Sequence, residues 1–574
     1  MQEIVREASR AWENTQAKTL ALQKDATDYV KNGGIDMDIA IIPWQMVLLC
    51  GLSVCVGWGI RGNFGHEYGA ALAGGLAAIA IALLSGREDW WRHVHYFAMF
   101  GAIGWSFGGS MSYMMVVGYS HSSHSPTVFY GFANLFVIGF LWAALGGAGT
   151  ALPAFLTHTQ LSLLFTPIAA VFIGWSLQAV IIDRVLAPKR MQRHESPLYW
   201  YDTDWVSALV AIVAALIVAL FRGGLDMGTN LVLYMGICWF GGFLLLVNVC
   251  RLRMTPPRGD NWAGCVGMII GILGYCSRYE LSGVAFATLM TGFGGGIAFS
   301  FGQLLKLIYI WVGNKTNCHT NWHSVMEQTQ GFLFGLGIAI PFGLLLNRAP
   351  LLETNPNFPQ WMEIFAVFTV LILLTYVNYR KAAGTWVDLV EGLPERFFGL
   401  PVVGWFRHSR GWVGWFELFY IGIGIACVWI LSIHFREPLA FIPTSWLGKG
   451  QLLYFIFLWW MVIFNFERAL VGFSPHRLVT EGTITLNAII CTILIALGPL
   501  SVPKQTGSLF SFTEWILQIL IWGAVVLVGS TVVFGGVKHL LFRKEHAPGA
   551  SLHIRFGSDS NAPKAKPKAG EQHP

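Results

Sequence analysis

Charge is what this chain has least of. Only 12% of its 574 residues are Asp, Glu, Lys or Arg, against roughly 25% in soluble domains. No stretch is both long and polar enough to form a separate soluble domain. The signatures of several chemistries are missing as well. The chain has no Walker A loop, no G-x-G-x-x-G in a strand–helix setting, no H-E-x-x-H and no C-x-x-C-H. His66-Glu67 opens a His-Glu pair, but no second His follows at zincin spacing. The sequence thus gives no support to nucleotide-driven transport, dinucleotide redox chemistry or zincin proteolysis. A disulfide framework is not indicated either. Most of the nine Cys (Cys50, Cys55, Cys238, Cys250, Cys427 and Cys491 among them) sit inside apolar segments, where thiols pack as small hydrophobes. The net charge of +6 is no sign of nucleic acid, because the basic residues fall in short loops between apolar runs.

What the chain does have is apolar length. It is 55% hydrophobic, with 65 Gly and 25 Trp. Gly suits close helix contacts in a membrane and Trp suits the membrane interfaces. A span needs about 20 apolar residues. About fifteen runs qualify on sequence: 41–60, 69–85, 96–118, 129–151, 161–182, 205–221, 230–250, 263–277, 284–312, 329–347, 362–379, 414–434, 452–466, 482–499 and 513–536. The weakest are 69–85, 263–277 and 452–466. These runs exceed barrel-strand length and lack strict alternation. Backbone facing lipid must satisfy its own hydrogen bonds, so the expected fold is an all-α polytopic integral membrane protein.

The expected organisation has five parts. Residues 1–39 carry charges throughout and lack an uninterrupted apolar core, so they read as a polar N-terminal helix and not a signal peptide. A first membrane repeat covers 40–204 and a second covers 205–410. Membrane helices follow over 411–540, and 541–574 is a basic tail of disordered composition. The duplication is read from landmarks about 194–200 residues apart: Arg61-Gly62 with Arg258-Gly259, Phe107-Gly108 with Phe301-Gly302, and Gly131-Phe132 with Gly331-Phe332. An even number of spans between counterparts makes the repeats parallel. Basic residues concentrate in alternate loops and in the tail. The expected location is therefore a bacterial inner (cytoplasmic) membrane or its equivalent, with a cytoplasmic C-terminus.

Charged groups near a bilayer core are costly unless paired or facing a wet cavity, which makes each one a site candidate. Arg61-Gly-Asn-Phe-Gly-His66-Glu67 is the densest cluster. Arg61 offers a planar fork of donors suited to carboxylate or phosphate, and His66 and Glu67 can handle a proton. A structural reading instead pairs Arg61 with Glu67 or with a lipid headgroup phosphate. Arg258 and Asp260 are the repeat counterpart. His121 and His124 lie in one His-bearing loop, and His319, His323, Glu327 and Gln330 lie in and beyond the other. On a helix, His319, His323 and Glu327 share a face and are candidate ligands for a divalent metal. They span about 12 Å, however, so two of them with a distant ligand is more plausible than all three on one ion. Glu467, Arg468 and His476 flank a break between spans.

Three readings stand at this point. The first is a transporter of a small anionic, carboxylate- or phosphate-bearing solute, proton-coupled, with its site between two repeats. The second is a membrane-embedded enzyme acting on a lipid-linked or acyl substrate, since the His, Arg and Glu cluster on one side. The third is a structural subunit of a membrane complex. In all three the lipid bilayer is the partner and nucleic acid is not.

Overall fold

The computed structural model describes residues 42–62, 65–191, 196–254, 259–316, 320–353, 359–374, 376–377, 446–471, 475–496, 523–524, 526–529 and 531–538. The chain divides into Met1–Ile42 and Pro43–Pro574, and the architecture below is that of the second unit. Among the described residues it is helical throughout, with no strand.

The helices are α1 (Trp44–Arg61), α2 (His66–Leu84), α3 (Val94–Gly108), α4 (Met114–Ser120), α5 (Ser125–Phe155), α6 (His158–Leu186), α7 (Trp205–Arg222), α8 (Met227–Gly242), α9 (Asn261–Arg278), α10 (Ser282–Thr316), α11 (Trp322–Leu345), α12 (Gln360–Phe368), α13 (Trp446–Val471) and α14 (Pro475–Ala496). A one-turn helix, Glu88–Arg92, precedes α3, and a π-helical segment, Phe243–Val249, prolongs α8. Among the described residues, eight helices are long and apolar enough to cross a membrane: α1, α2, α5, α6, α7, α8, α10 and α11. The expectation of about fifteen spans is not met by the described residues. Run 96–118 is not one helix, because it breaks between α3 and α4. Runs 362–379, 452–466 and 482–499 correspond to shorter apolar helices. Run 414–434 and much of 513–536 lie outside the described residues. Run 69–85, thought weak, belongs to the most enclosed span of all, α2, which is 89% buried.

Two layers follow from which faces are covered. Helices α1, α2, α3, α5, α10 and α11 pack on one another, α5 along α10 and α1 along α11. Helices α6, α7 and α8 form a flank that is only 22–28% buried. Their outward residues are apolar, among them Ile173, Leu177, Ile181, Leu216, Leu220, Phe221 and Leu245. An apolar face of this extent suits hydrocarbon and not water.

Close approach explains the glycine content of the inner layer. A Cβ at Gly139 would meet the Gly295 carbonyl at 2.4 Å, so α5 and α10 touch backbone to backbone. The Trp105 indole fills a notch between α2 and α5, where Cβ atoms at Gly74 and Gly146 would lie 2.4 and 2.3 Å from it. The packing is not the same in the two halves. Helix α2 runs along α3, whereas its expected counterpart α9 packs on α8 and barely meets α10.

A methyl at Gly146 has no room. Gly146→Ala is expected to cost about 1–3 kcal/mol through overpacking on Trp105, read as a lower melting temperature in detergent. Gly118 has nothing within 4 Å of its Cβ position, so Gly118→Ala should stay within about 0.5 kcal/mol of wild type.

Candidate functional site

The site is built around the last residue of α1. Trp58 and Arg61 are three apart and share a helix face, and the guanidinium lies over the Trp58 ring, 4.5 Å from its centre. Trp142 of α5 and Tyr113 supply two further ring faces at 5.2 and 5.5 Å. Arg61 is wholly buried. Trp142 lies about 25 Å along α5 from Ser125, so the box sits well inside that helix and not at its tip.

Within the box the guanidinium donates to three groups. Nη2 donates to Glu327 Oε1 at 2.7 Å and to the Tyr113 hydroxyl at 2.7 Å. Nη1 lies 2.8 Å from His66 Nδ1, which accepts and so keeps its proton on Nε2. Tyr113 in turn donates to Glu327 Oε1 at 3.3 Å. Glu327, on the second turn of α11, is also nearly buried. Arg61 Nε has no partner in this arrangement.

Local sequence makes the box. Gly65 precedes α2 at φ +86°, a conformation that side chains other than glycine's resist. Gly69 lets α2 cross the end of α1, since a Cβ there would meet the Arg61 carbonyl at 2.5 Å. The break after α3 is the third device. Gly108 lies against Trp142 and Gly109 against the backbone of His66 and Glu67, with Cβ positions 2.1 and 2.3 Å from these neighbours. The chain turns there and delivers Tyr113 to Arg61.

The structure sorts the expected residues. Arg61, His66 and Glu327 come together. Glu67 and His66 are exposed on the first turn of α2, and the pairing role expected of Glu67 is taken by Glu327. His323 lies one turn before Glu327, with Nε2 3.8 Å from its carboxylate. His319 is outside the described residues, and among those described no trio of His, Cys, Asp or Glu is arranged to hold a metal. His121 meets Gln303 Nε2 at 3.0 Å, across to α10. His124 only pins the start of α5, through Thr127 Oγ1 at 2.9 Å. Gln330 is buried and reaches the Phe299 carbonyl at 3.3 Å, which ties α11 to α10 away from Arg61.

Asp260 does not join Arg61. It accepts from the Arg253 guanidinium, from Met254 N at 3.1 Å and from Trp262 Nε1 at 3.2 Å, all in its own turn. Arg258 is outside the described residues, as are the side chains of Glu467, Arg468 and His476 on α13 and α14. Sequence reasoning missed Tyr113, Trp58 and Trp142. An aromatic in an apolar run carries no signal of its own.

A second ionic group stands at the other end of the bundle. Arg87 and Asp89 pair at 2.6 Å, and Arg87 also donates to the Leu346, Ala349 and Pro350 carbonyls. His95 Nε2 lies 2.6 Å from Glu363. Compared with the models of known protein families, with curated proteins and with solved structures, the chain matches none.

Two outcomes follow from this geometry. Glu327→Ala leaves a buried guanidinium short of its counter-charge and is expected to cost about 3–5 kcal/mol, whereas Arg61→Met combined with Glu327→Leu should cost less than either change alone; melting curves of the three variants give the coupling. His121 is pushed down to about 4, first by burial and then by the nearby Lys306 and Lys538 charges. A His held neutral in the fold stabilises above its unfolded value of about 6.5, and that contribution is lost as pH falls from there towards 4. Between pH 7 and 5 the loss should be on the order of 1–2 kcal/mol, and His121→Asn should flatten that part of the stability–pH curve.

Proposed function

We propose that the chain is a membrane carrier for a small anionic, carboxylate- or phosphate-bearing solute, with Arg61 as the solute-binding cation and Glu327 as the resident anion it displaces. The observation that carries this reading is the buried Arg61–Glu327 pair inside an aromatic box, with the exposed His66 bonded to the same guanidinium.

The reasoning is one of charge balance. Arg61 keeps its proton, so its pocket must always contain a negative charge. An incoming carboxylate or phosphate can take that place only if Glu327 gives up its own charge. Proton uptake by Glu327 does this, and the pocket stays neutral while one anion and one proton enter together. His323 can deliver the proton, because about a third of its side chain is exposed and its Nε2 lies 3.8 Å from the Glu327 carboxylate. The Tyr113 hydroxyl can turn from Glu327 to the solute.

Two features support transport. The pair joins α1 and α11, one from each of the expected halves 40–204 and 205–410, which is where carriers built from repeats place their sites. Ionic groups also stand at the opposite end of the bundle, at Arg87–Asp89 and His95–Glu363. In this reading the membrane is a cytoplasmic one, and the C-terminus lies on its cytoplasmic side with the basic loops. One observation favours a one-sided enzyme instead. Trp105, Phe299 and Phe334 pack around Trp58 and floor the box with apolar rings. In a carrier this floor is the closed gate.

Proteoliposome flux separates the two. With an inward proton gradient, wild type should accumulate labelled phosphate, and Arg61→Gln should abolish uptake. Glu327→Gln should retain exchange yet lose its acceleration by the gradient. Wild-type vesicles that show no flux of any anion, or Arg61→Gln vesicles that transport normally, would rule the carrier out.

A further inference from the structure

The site holds more positive charge than the Arg61–Glu327 pair uses. Lys306 stands in α10, inside an otherwise apolar run, with Nζ 3.4 Å from His323 Nδ1. Among the described residues no carboxylate lies within 4.0 Å of it. Lys306 is half-buried and shares the Glu327 charge, already paired with Arg61, only from beyond ion-pair distance; a Lys so placed within an apolar helix marks a site. His323 turns its other nitrogen toward Glu327 at 3.8 Å and keeps about a third of its side chain exposed, so this flank is open.

Gln303 lies one turn earlier on α10 and is wholly buried. Its Nε2 donates to Ser120 Oγ at 2.8 Å and lies 3.0 Å from His121 Nε2. Its Oε1 has no partner. A buried acceptor left open costs free energy unless something fills it. Lys538 closes the far side by donating to the Ser122 and His121 carbonyls at 2.6 and 3.4 Å. His121 is depressed first by burial and then by the Lys306 and Lys538 charges, so two cations act on this spot.

We propose that Lys306, His323, Gln303 and His121 form a second anion station beside the Arg61–Glu327 pair, fitted to the phosphoryl group of a doubly charged solute. The assignment rests on the carrier reading and narrows its substrate class from any small anion to a phosphate-bearing one. A compact ammonium is a good point charge for phosphate. The imidazoles donate to phosphate oxygens, and Gln303 Oε1 accepts from a P–OH or from a hydroxyl of the solute. A monocarboxylate is satisfied by Arg61 alone and leaves Lys306 without a counter-charge. A dianion neutralises both.

The test is calorimetric titration of the full-length protein in detergent micelles with inorganic phosphate and with acetate, at pH 7.5 and fixed ionic strength. Wild type should bind phosphate about tenfold tighter than acetate, the worth of one charge-assisted contact. Lys306→Gln should lose about tenfold in phosphate affinity and leave acetate within about twofold. Lys306→Arg should restore phosphate binding, which guards against a folding defect in the first variant. Acetate and phosphate binding equally well, with Lys306→Gln changing neither, would overturn the second station and leave an Arg61-dependent acetate site intact. No binding of either anion to wild type would overturn the station and the carrier reading together.

Discussion

A guanidinium that cannot lose its proton and cannot reach water is the constraint on which the rest of this structure depends. Taking such an ion out of water costs several kcal/mol even after relaxation, and only a close counter-charge with well-made hydrogen bonds offsets it. Glu327 supplies the charge, Tyr113 and His66 occupy further donors, and three rings lie on the cation's faces. Each partner comes from a different stretch of chain. Arg61 therefore fixes how α1, α2, α5, α11 and the turn after α3 meet. Its Nε donor is left without a partner.

That assembly needs helices that approach more closely than ordinary side chains allow. The contacts of Gly139 on Gly295, of Gly69 on the end of α1 and of Gly109 on the start of α2 meet this need. The space saved at these crossings is filled by indoles: Trp58, Trp105 and Trp142 are all fully buried. A floor of close-packed rings also keeps water from reaching Arg61 through the bundle. Any passage of solute past that floor must move rings and not single rotamers. Helices α10 and α11, which carry Phe299, Lys306, His323 and Glu327, pack along each other.

The fold class was legible in the sequence because apolar length and scarce charge leave helices as the only solution in lipid. The number of spans was not. Counting apolar runs by length treats 96–118 as one helix, yet its break at Gly108-Gly109 exists because Trp142 and the start of α2 crowd that spot. Arg61 and His66 were legible as a dense charged cluster. Their partner was not, because Glu67 is adjacent in sequence while Glu327 is 266 residues away. Glu327 had drawn notice as a metal ligand, on helical spacing with His319 and His323. The spacing of His323 and Glu327 was right, and the cation facing Glu327 is a guanidinium. Asp260, assigned by analogy to Arg61, closes its own local turn with Arg253 and does not meet Arg61. Lys306, a lone charge within run 284–312, was passed over by the sequence reading, and its neighbour Gln303 gains meaning only from the fold.

The most direct measurement is infrared difference spectroscopy of the reconstituted protein on adding phosphate or acetate, for wild type and Glu327→Gln. If the solute displaces Glu327 from Arg61, anion addition should produce a protonated-carboxyl band in wild type that is missing from Glu327→Gln. An anion that binds without producing that band, or that produces it equally in Glu327→Gln, would contradict the exchange at Arg61.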